Sequence, residues 1–173
     1  IEGYLSASEL SSQSAARSAA LANASSTQVA LTLSDISMIE FCRDGLSAIM
    51  GDGVDTLFCN ADEATAWAKT DRLDIAINEL KDIAKELYVT LGSEGAEVCN
   101  IEGRWQVGGE SVLAVDTNGA GDMFAGACLA ARLQGAGAID AARFANRAAA
   151  RVITQFGARL PSLTDYQLLR ATE

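Results

Sequence analysis

The sequence predicts an α/β fold with a mostly parallel sheet, on three observations. Short apolar runs alternate with longer amphipathic stretches of helical period. Turns rich in glycine, asparagine and acids stand at the ends of three of those runs, where parallel sheets bind their ligands. Apolar residues make up 49% of 173, enough for one domain with a real core and too many for disorder.

The elements follow in order. Ile1-Glu2-Gly3-Tyr4-Leu5 lacks an initiator Met and reads as a strand end entering a loop, so the chain is expected to be a piece of something longer. Ser8 and Glu9 open a surface helix within Ser6–Ser26, with Leu10, Ala15, Ala19 and Leu21 near helical spacing. Val29–Leu33 is a short buried strand. Ser34-Asp35 then caps a helix over Ser37–Met50, with Ile39, Cys42, Leu46 and Ile49 on one face. Gly51-Asp52-Gly53 breaks it before a strand at Val54–Cys59. Asn60-Ala61-Asp62-Glu63 opens a short helix carrying Ala64 and Trp67. An amphipathic helix is expected over Asp74–Leu87 and a strand over Tyr88–Leu91, followed by a turn at Gly92–Gly95. Ala96–Asn100 and Arg104–Val107 pattern as antiparallel strands, and Val112–Val115 as one more. Alanine-rich helices at Gly121–Gln134 and Ile139–Gln155 finish the core, and a last helix is expected near Thr164–Thr172 after Pro161.

Composition excludes several chemistries. The balance of 13 basic and 23 acidic residues, net −10, disfavours nucleic acid as a partner. A phosphorylated small molecule can still bind through backbone dipoles. The absence of histidine removes Ser-His and Cys-His pairs and every His-ligated metal. Cys42, Cys59, Cys99 and Cys128 are far apart within apolar stretches and form no C-x-x-C, which predicts core thiols in a reducing, cytoplasmic setting. No apolar run is long enough to span a membrane.

The most informative stretch is Asp116-Thr117-Asn118-Gly119-Ala120-Gly121-Asp122. It places free backbone N–H groups and a carboxylate together at a helix start, where anions bind. A Walker loop is rejected because no Lys and Ser/Thr follow the glycines. A dinucleotide fingerprint fails at Phe124, where its third glycine belongs. The pattern D-T-x-G-A-G-D is matched at every specified position.

That pattern is the second signature of PfkB-family (ribokinase-like) carbohydrate kinases, and the chain resembles the C-terminal half of one. Asn60-Ala61-Asp62-Glu63 matches the family's N-x-x-E, and Val89–Ala96 its V-T-L-G-x-x-G strand and turn. Ala145–Ala150 followed by Gly157-Ala158 matches its late nucleotide-binding helix and G-A turn. Glu2–Leu5, Leu33–Asp35 and Asp55–Asn60 look most like the bacterial adenosine-kinase-like branch. The resemblance implies a three-layer α/β/α sandwich of which residues 1–173 are the C-terminal part, the N-terminal half and β lid being absent. It also implies ATP and Mg2+ as cofactors and a sugar or nucleoside as acceptor.

Under that resemblance Asp122 is the general base and the N–H groups of Gly119, Ala120 and Gly121 form the anion hole. The competing reading of Asp122 is a helix-terminal acid worth about 0.3–1 kcal/mol. Asn60 and Glu63 are the expected Mg2+ residues, through waters; the same spacing is also a capping box. Thr90, Gly92, Gly95, Asp116, Thr117, Asn146 and Gly157 are the expected nucleotide-site residues, with Asn146 toward the adenine. Asp116 and the Asn118 carbonyl would border a monovalent-cation (K+) site. A catalytically silent nucleotide-binding or regulatory domain is the alternative. The isolated chain is expected to turn over nothing and to associate as a homodimer through surface that the missing half would cover.

Overall fold

The computed structural model describes residues 1–170 of the chain. The fold is a three-layer α/β sandwich with a mostly parallel, five-stranded open sheet in the order β1-β2-β3-β4-β5. The strands are β1 (Ala30–Thr32), β2 (Val54–Asn60), β3 (Ala84–Thr90), β4 (Ala96–Asn100) and β5 (Gly103–Val107). The chain clusters into two compact units. One comprises Ile1–Thr90 with Cys99–Arg104; the other comprises Leu91–Val98 and the chain from Trp105 onward.

In the first unit β1, β2 and β3 run parallel, with Leu31 opposite Leu57 and Phe58 opposite Tyr88. Strands buried on both faces need continuous apolar runs. Leu31, Leu57, Leu87, Tyr88 and Val89 are fully buried here. Each such aliphatic side chain contributes about 1.5–3 kcal/mol by leaving water. The Phe58 and Tyr88 rings stack at 5.2 Å between adjacent strands.

Five helices belong to this unit: α1 (Glu9–Ala24), α2 (Ile36–Phe41), α3 (Arg43–Met50), α4 (Ala61–Ala68) and α5 (Leu73–Leu80). Ser8 caps α1 by accepting from Ser11 N at 3.2 Å, as its sequence position predicts. The inward face of α1 differs from the expected one: Ser12, Ala15 and Ala19 are buried, whereas Leu10 and Leu21 are exposed.

Two expected helices are revised. The stretch 37–50 is not one helix: it breaks at Cys42 into α2 and α3, while Ile39, Leu46 and Ile49 remain buried as predicted. The helix expected over 74–87 stops at Leu80, and β3 already begins at Ala84. Apolar residues at 83, 84 and 87 fit a helical stripe and a buried strand equally well, and periodicity cannot separate the two.

In the second unit α6 (Ala120–Leu133) and α7 (Ala138–Val152) pack against each other, and α8 (Leu163–Arg170) follows. Phe124, Cys128 and Ala131 of α6 are buried, as are Ala141, Ala142, Ala145 and Ala148 of α7. Small side chains let helix backbones approach closely, and the alanine-rich composition serves that packing. Residues 171 and 172, the end of the last predicted helix, lie outside the described part. The hairpin β4–β5 turns on Ile101 and Glu102 alone, a connection that only antiparallel strands permit. Val112–Val115 is not the expected strand: it is irregular, with Leu113 86% exposed and no buried face to pair on. The glycine loop therefore does not follow a strand.

Candidate active site

The first candidate turn joins β2 to α4. Asn60 is the N-cap: its Oδ1 accepts from Glu63 N at 2.8 Å, and Glu63 Oε2 accepts from Asn60 N at 3.2 Å. Glu63 Oε1 also accepts from Asn60 Nδ2 at 2.7 Å. The reciprocal capping box is complete, and Glu63 is only 6% exposed. Burial pushes the Glu63 carboxyl up, the Asn60 N–H pulls it back, and the Asp35 and Asp62 charges add to the rise. The buried Cys59 thiol is also pushed up, first by burial and then by the Glu63 charge. Thr90 Oγ1 donates to Cys59 O at a long 3.5 Å.

This donor set bears on Mg2+. Both Glu63 oxygens already accept hydrogen bonds, and direct ligation would pull the cap apart. Each carboxylate oxygen still has a lone pair for a water. The turn therefore fits a hydrated Mg2+ held through waters, the mode that Mg2+ favours. Among the described residues no group of three His, Cys, Asp or Glu side chains gathers to enclose a metal.

The second candidate turn leads into α6, and its end is built differently. Val115 N and Asp116 N both donate to Ile153 O, at 2.8 and 3.2 Å. Asp116 Oδ1 accepts from Asn118 N at 3.0 Å, and Oδ2 from Gly157 N at 2.9 Å. Those donors, Gly157 first, hold the Asp116 carboxyl below the ordinary carboxylate range. Gly119 is the N-cap at φ 77°, a conformation that favours glycine. A Cβ on Gly119 would lie 2.5 Å from Ala158 Cβ, so this backbone also abuts the Gly157-Ala158 turn too closely for any side chain.

No side chain caps α6. Met123 N donates to Gly119 O at 2.9 Å, and Ala120 N to Thr117 O at 3.2 Å. The Ala120 N–H, expected in the anion hole, is thus committed to the turn. The N–H groups of Gly121 and Asp122 have no backbone acceptor among the described residues. A Cβ on Gly121 would meet nothing within 4 Å, so the space on the side-chain side of this residue is open. Asp122 is exposed in the same first turn and lines a cleft of about 640 Å³ with Met123, Phe144, Ala148 and Arg159.

The remaining expected residues divide into supports and open positions. Gly95 is buried at φ 94°, and a Cβ there would stand 2.5 Å from Gly109 N. Gly92 at φ 59° and Gly157 at φ 91° are exposed, with open space around them. Thr117 is exposed. Asn146 is 7% exposed and spends both amide hydrogens on Val107 O and Gly108 O, at 3.1 and 3.0 Å. It clamps α7 to the end of β5, and only its Oδ1 is left for a ligand. The role of the Ile153 carbonyl escaped sequence reasoning. A backbone acceptor leaves no mark in side-chain identity, and the contact spans about forty residues.

Comparison with known proteins agrees with this architecture. The family model described as pfkB family carbohydrate kinase matches residues 1–165. A probable fructokinase-5 of Arabidopsis thaliana is 33% identical over 141 residues, covering 75% of this chain and 43% of that protein. The adenosine kinase of Sinorhizobium meliloti superposes with a TM-score of 0.90 at 32% identity, over 98% of this chain and 53% of that one. A candidate ribokinase II of E. coli, solved with ATP and Mg2+, superposes at 0.85 with 22% identity, over 100% of this chain and 58% of that one. The chain thus spans about half the length of the proteins it matches. With its family model covering nearly its whole length, the chain belongs to the pfkB carbohydrate kinase family.

Proposed function

We propose that the protein carrying this chain transfers the γ-phosphoryl group of ATP to a primary hydroxyl of a sugar or nucleoside, with Asp122 as the general base. The observation that carries the reading is the start of α6. An exposed carboxylate stands in the same turn as N–H donors on exposed residues that have no backbone acceptor among the described residues. In this reading Asp122 takes the proton of the acceptor hydroxyl as the oxygen attacks phosphorus. The N–H groups of Gly119, Gly121 and Asp122, with the partial positive charge of the helix terminus, stabilise the charge on the moving phosphoryl.

Glu63 and Asn60 would hold a hydrated Mg2+, which when bound neutralises phosphate charge. Gly92 and Gly157 leave room for a nucleotide beside their backbones, and Gly95 and Asn146 keep the neighbouring backbone in place. Asp116 already accepts two N–H bonds, so a K+ there would rely chiefly on main-chain oxygens such as that of Asn118. The relatives point to two acceptor classes, a ketose for the fructokinase and a nucleoside for the adenosine kinase.

The test uses the full-length protein with Mg·ATP against fructose, ribose, adenosine and inosine, following ADP release. Turnover with one of them names the acceptor. Asp122→Asn should then lower kcat by about 10²–10⁴-fold while ATP still binds. A kcat unchanged by that substitution would remove Asp122 from the role. No turnover with any acceptor would favour a silent nucleotide-binding domain. The same assay on the purified 173-residue chain should show no turnover.

A further inference from the structure

We propose that Asp116 is a positioning residue for the transfer, acting through Asp122 and the donors at the start of α6, and not a group that touches the nucleotide. The proposal rests on the reading of Asp122 as the base. The two carboxylate oxygens of Asp116 each take a different N–H: Oδ1 that of Asn118, inside the loop, and Oδ2 that of Gly157, 41 residues away. Beside this staple, Val115 N and Asp116 N close on Ile153 O near the end of α7. Directly after it, Gly119 abuts Ala158, with no room for a Cβ. The loop that delivers α6 is therefore bound to the segment 153–158 at three successive places. Among the described residues, Asp116 is the only side chain making a hydrogen bond between them.

The staple needs two acceptors on one rigid planar group. A carboxylate supplies both. An asparagine supplies one acceptor and turns a donor toward the other N–H. Among the described residues, Gly121 and Asp122 have no capping side chain and no backbone acceptor to fix them. Their placement depends on how the loop before them is anchored. Displacement of a reacting group by about 1 Å can cost about 10²-fold in rate.

The experiment uses full-length protein, with kcat and KM measured for wild type, Asp116→Asn, Asp116→Ala and Asp122→Asn. Active concentration is set by calorimetric stoichiometry with a non-hydrolysable ATP analogue, so that misfolded protein does not count. The expected result is a graded loss of kcat, about 10-fold for Asp116→Asn and up to about 10²-fold for Asp116→Ala. KM for ATP and the analogue's affinity should change less than about threefold. A kcat within threefold of wild type in both variants, with Asp122→Asn inactive, overturns the positioning role and leaves the base assignment standing. Weakened analogue binding with kcat retained at saturation also overturns it, since Asp116 would then be a nucleotide ligand. Full activity in Asp122→Asn would instead remove the base reading. Should Asp116→Ala fail to fold, Asp116→Asn, which keeps one of the two bonds, decides alone.

Discussion

The turns at Asn60–Glu63 and Asp116–Asp122 both open a helix with acids in its first turn, yet they solve the terminus in opposite ways. At α4 the orphan N–H groups are met from within: Asn60 and Glu63 cap each other, and the Glu63 carboxylate is buried. At α6 the N-cap is a glycine with no side chain to offer, Asp122 is exposed, and two donors have no backbone acceptor among the described residues. The first turn is complete without a ligand; the second is held firmly from behind and left unfinished in front. An acid near a helix start is thus a stability device when it reaches back to the cap. It becomes a candidate reagent when the cap is filled by something else.

Substitutions can break that contrast. The largest effect is expected at Gly119. Gly119→Ala places a methyl against Ala158 and strains a left-handed residue, so stability should fall by roughly 1–3 kcal/mol. If the proposed activity holds, turnover of the full-length protein should fall by about 10²-fold. Urea denaturation and the ADP assay measure the two separately, and wild-type values in both would show that the close approach does not matter. Next comes Asn60→Ala, which removes the cap of α4 and should cost about 1–2 kcal/mol in the urea midpoint. A loss below 0.3 kcal/mol would mean that the closed turn is not held by its cap.

The Glu63 carboxyl gives a pH signature of the closed turn. Its folded pKa is raised, so the native state binds the proton more tightly than the unfolded chain. Its contribution is fully present below the ordinary value of 4.5 and is lost as pH rises through the raised value. In chelator-containing buffer, Glu63→Gln should therefore flatten the decline in stability above pH 4.5. An unchanged pH profile would assign the decline to other groups. The smallest effect is expected at Gly121. Open space surrounds it within a helical turn, so Gly121→Ala should leave stability unchanged or raise it by up to about 1 kcal/mol. A marked loss would show that the open front of the turn is not open.

Much of this organisation could be read in the residues. Ser8, Asp35 and Asn60 are all N-caps where their types and neighbours placed them. The alternation of strands and helices indicated a mostly parallel sheet, and D-T-x-G-A-G-D located the start of α6. The errors have physical causes. The helix expected through Leu87 ended at Leu80 because an apolar run suits a buried strand as well as a helical stripe. Val112–Val115 read as a strand because its residues favour one, but propensity counts for little where no partner pairs with the segment. At the site, residue types were visible and their use was not. Asn146 turned its amide hydrogens to the end of β5, and Ala120 gave its N–H to Thr117. Such commitments depend on tertiary neighbours that a linear motif does not name.

The staple between Asp116 and Gly157 also carries a timetable. During synthesis the residues of the signature loop leave the ribosome well before its second anchor exists, since 41 positions separate the two. At about 5–20 residues per second the nascent loop waits a few seconds for residues 153–158. Until then α6 can form as a helix, but its entrance is not yet fastened. The turn at the start of α6 is thus among the last parts of this unit to take its folded shape, and a chain interrupted between 122 and 157 would carry the whole signature without the geometry that fastens it.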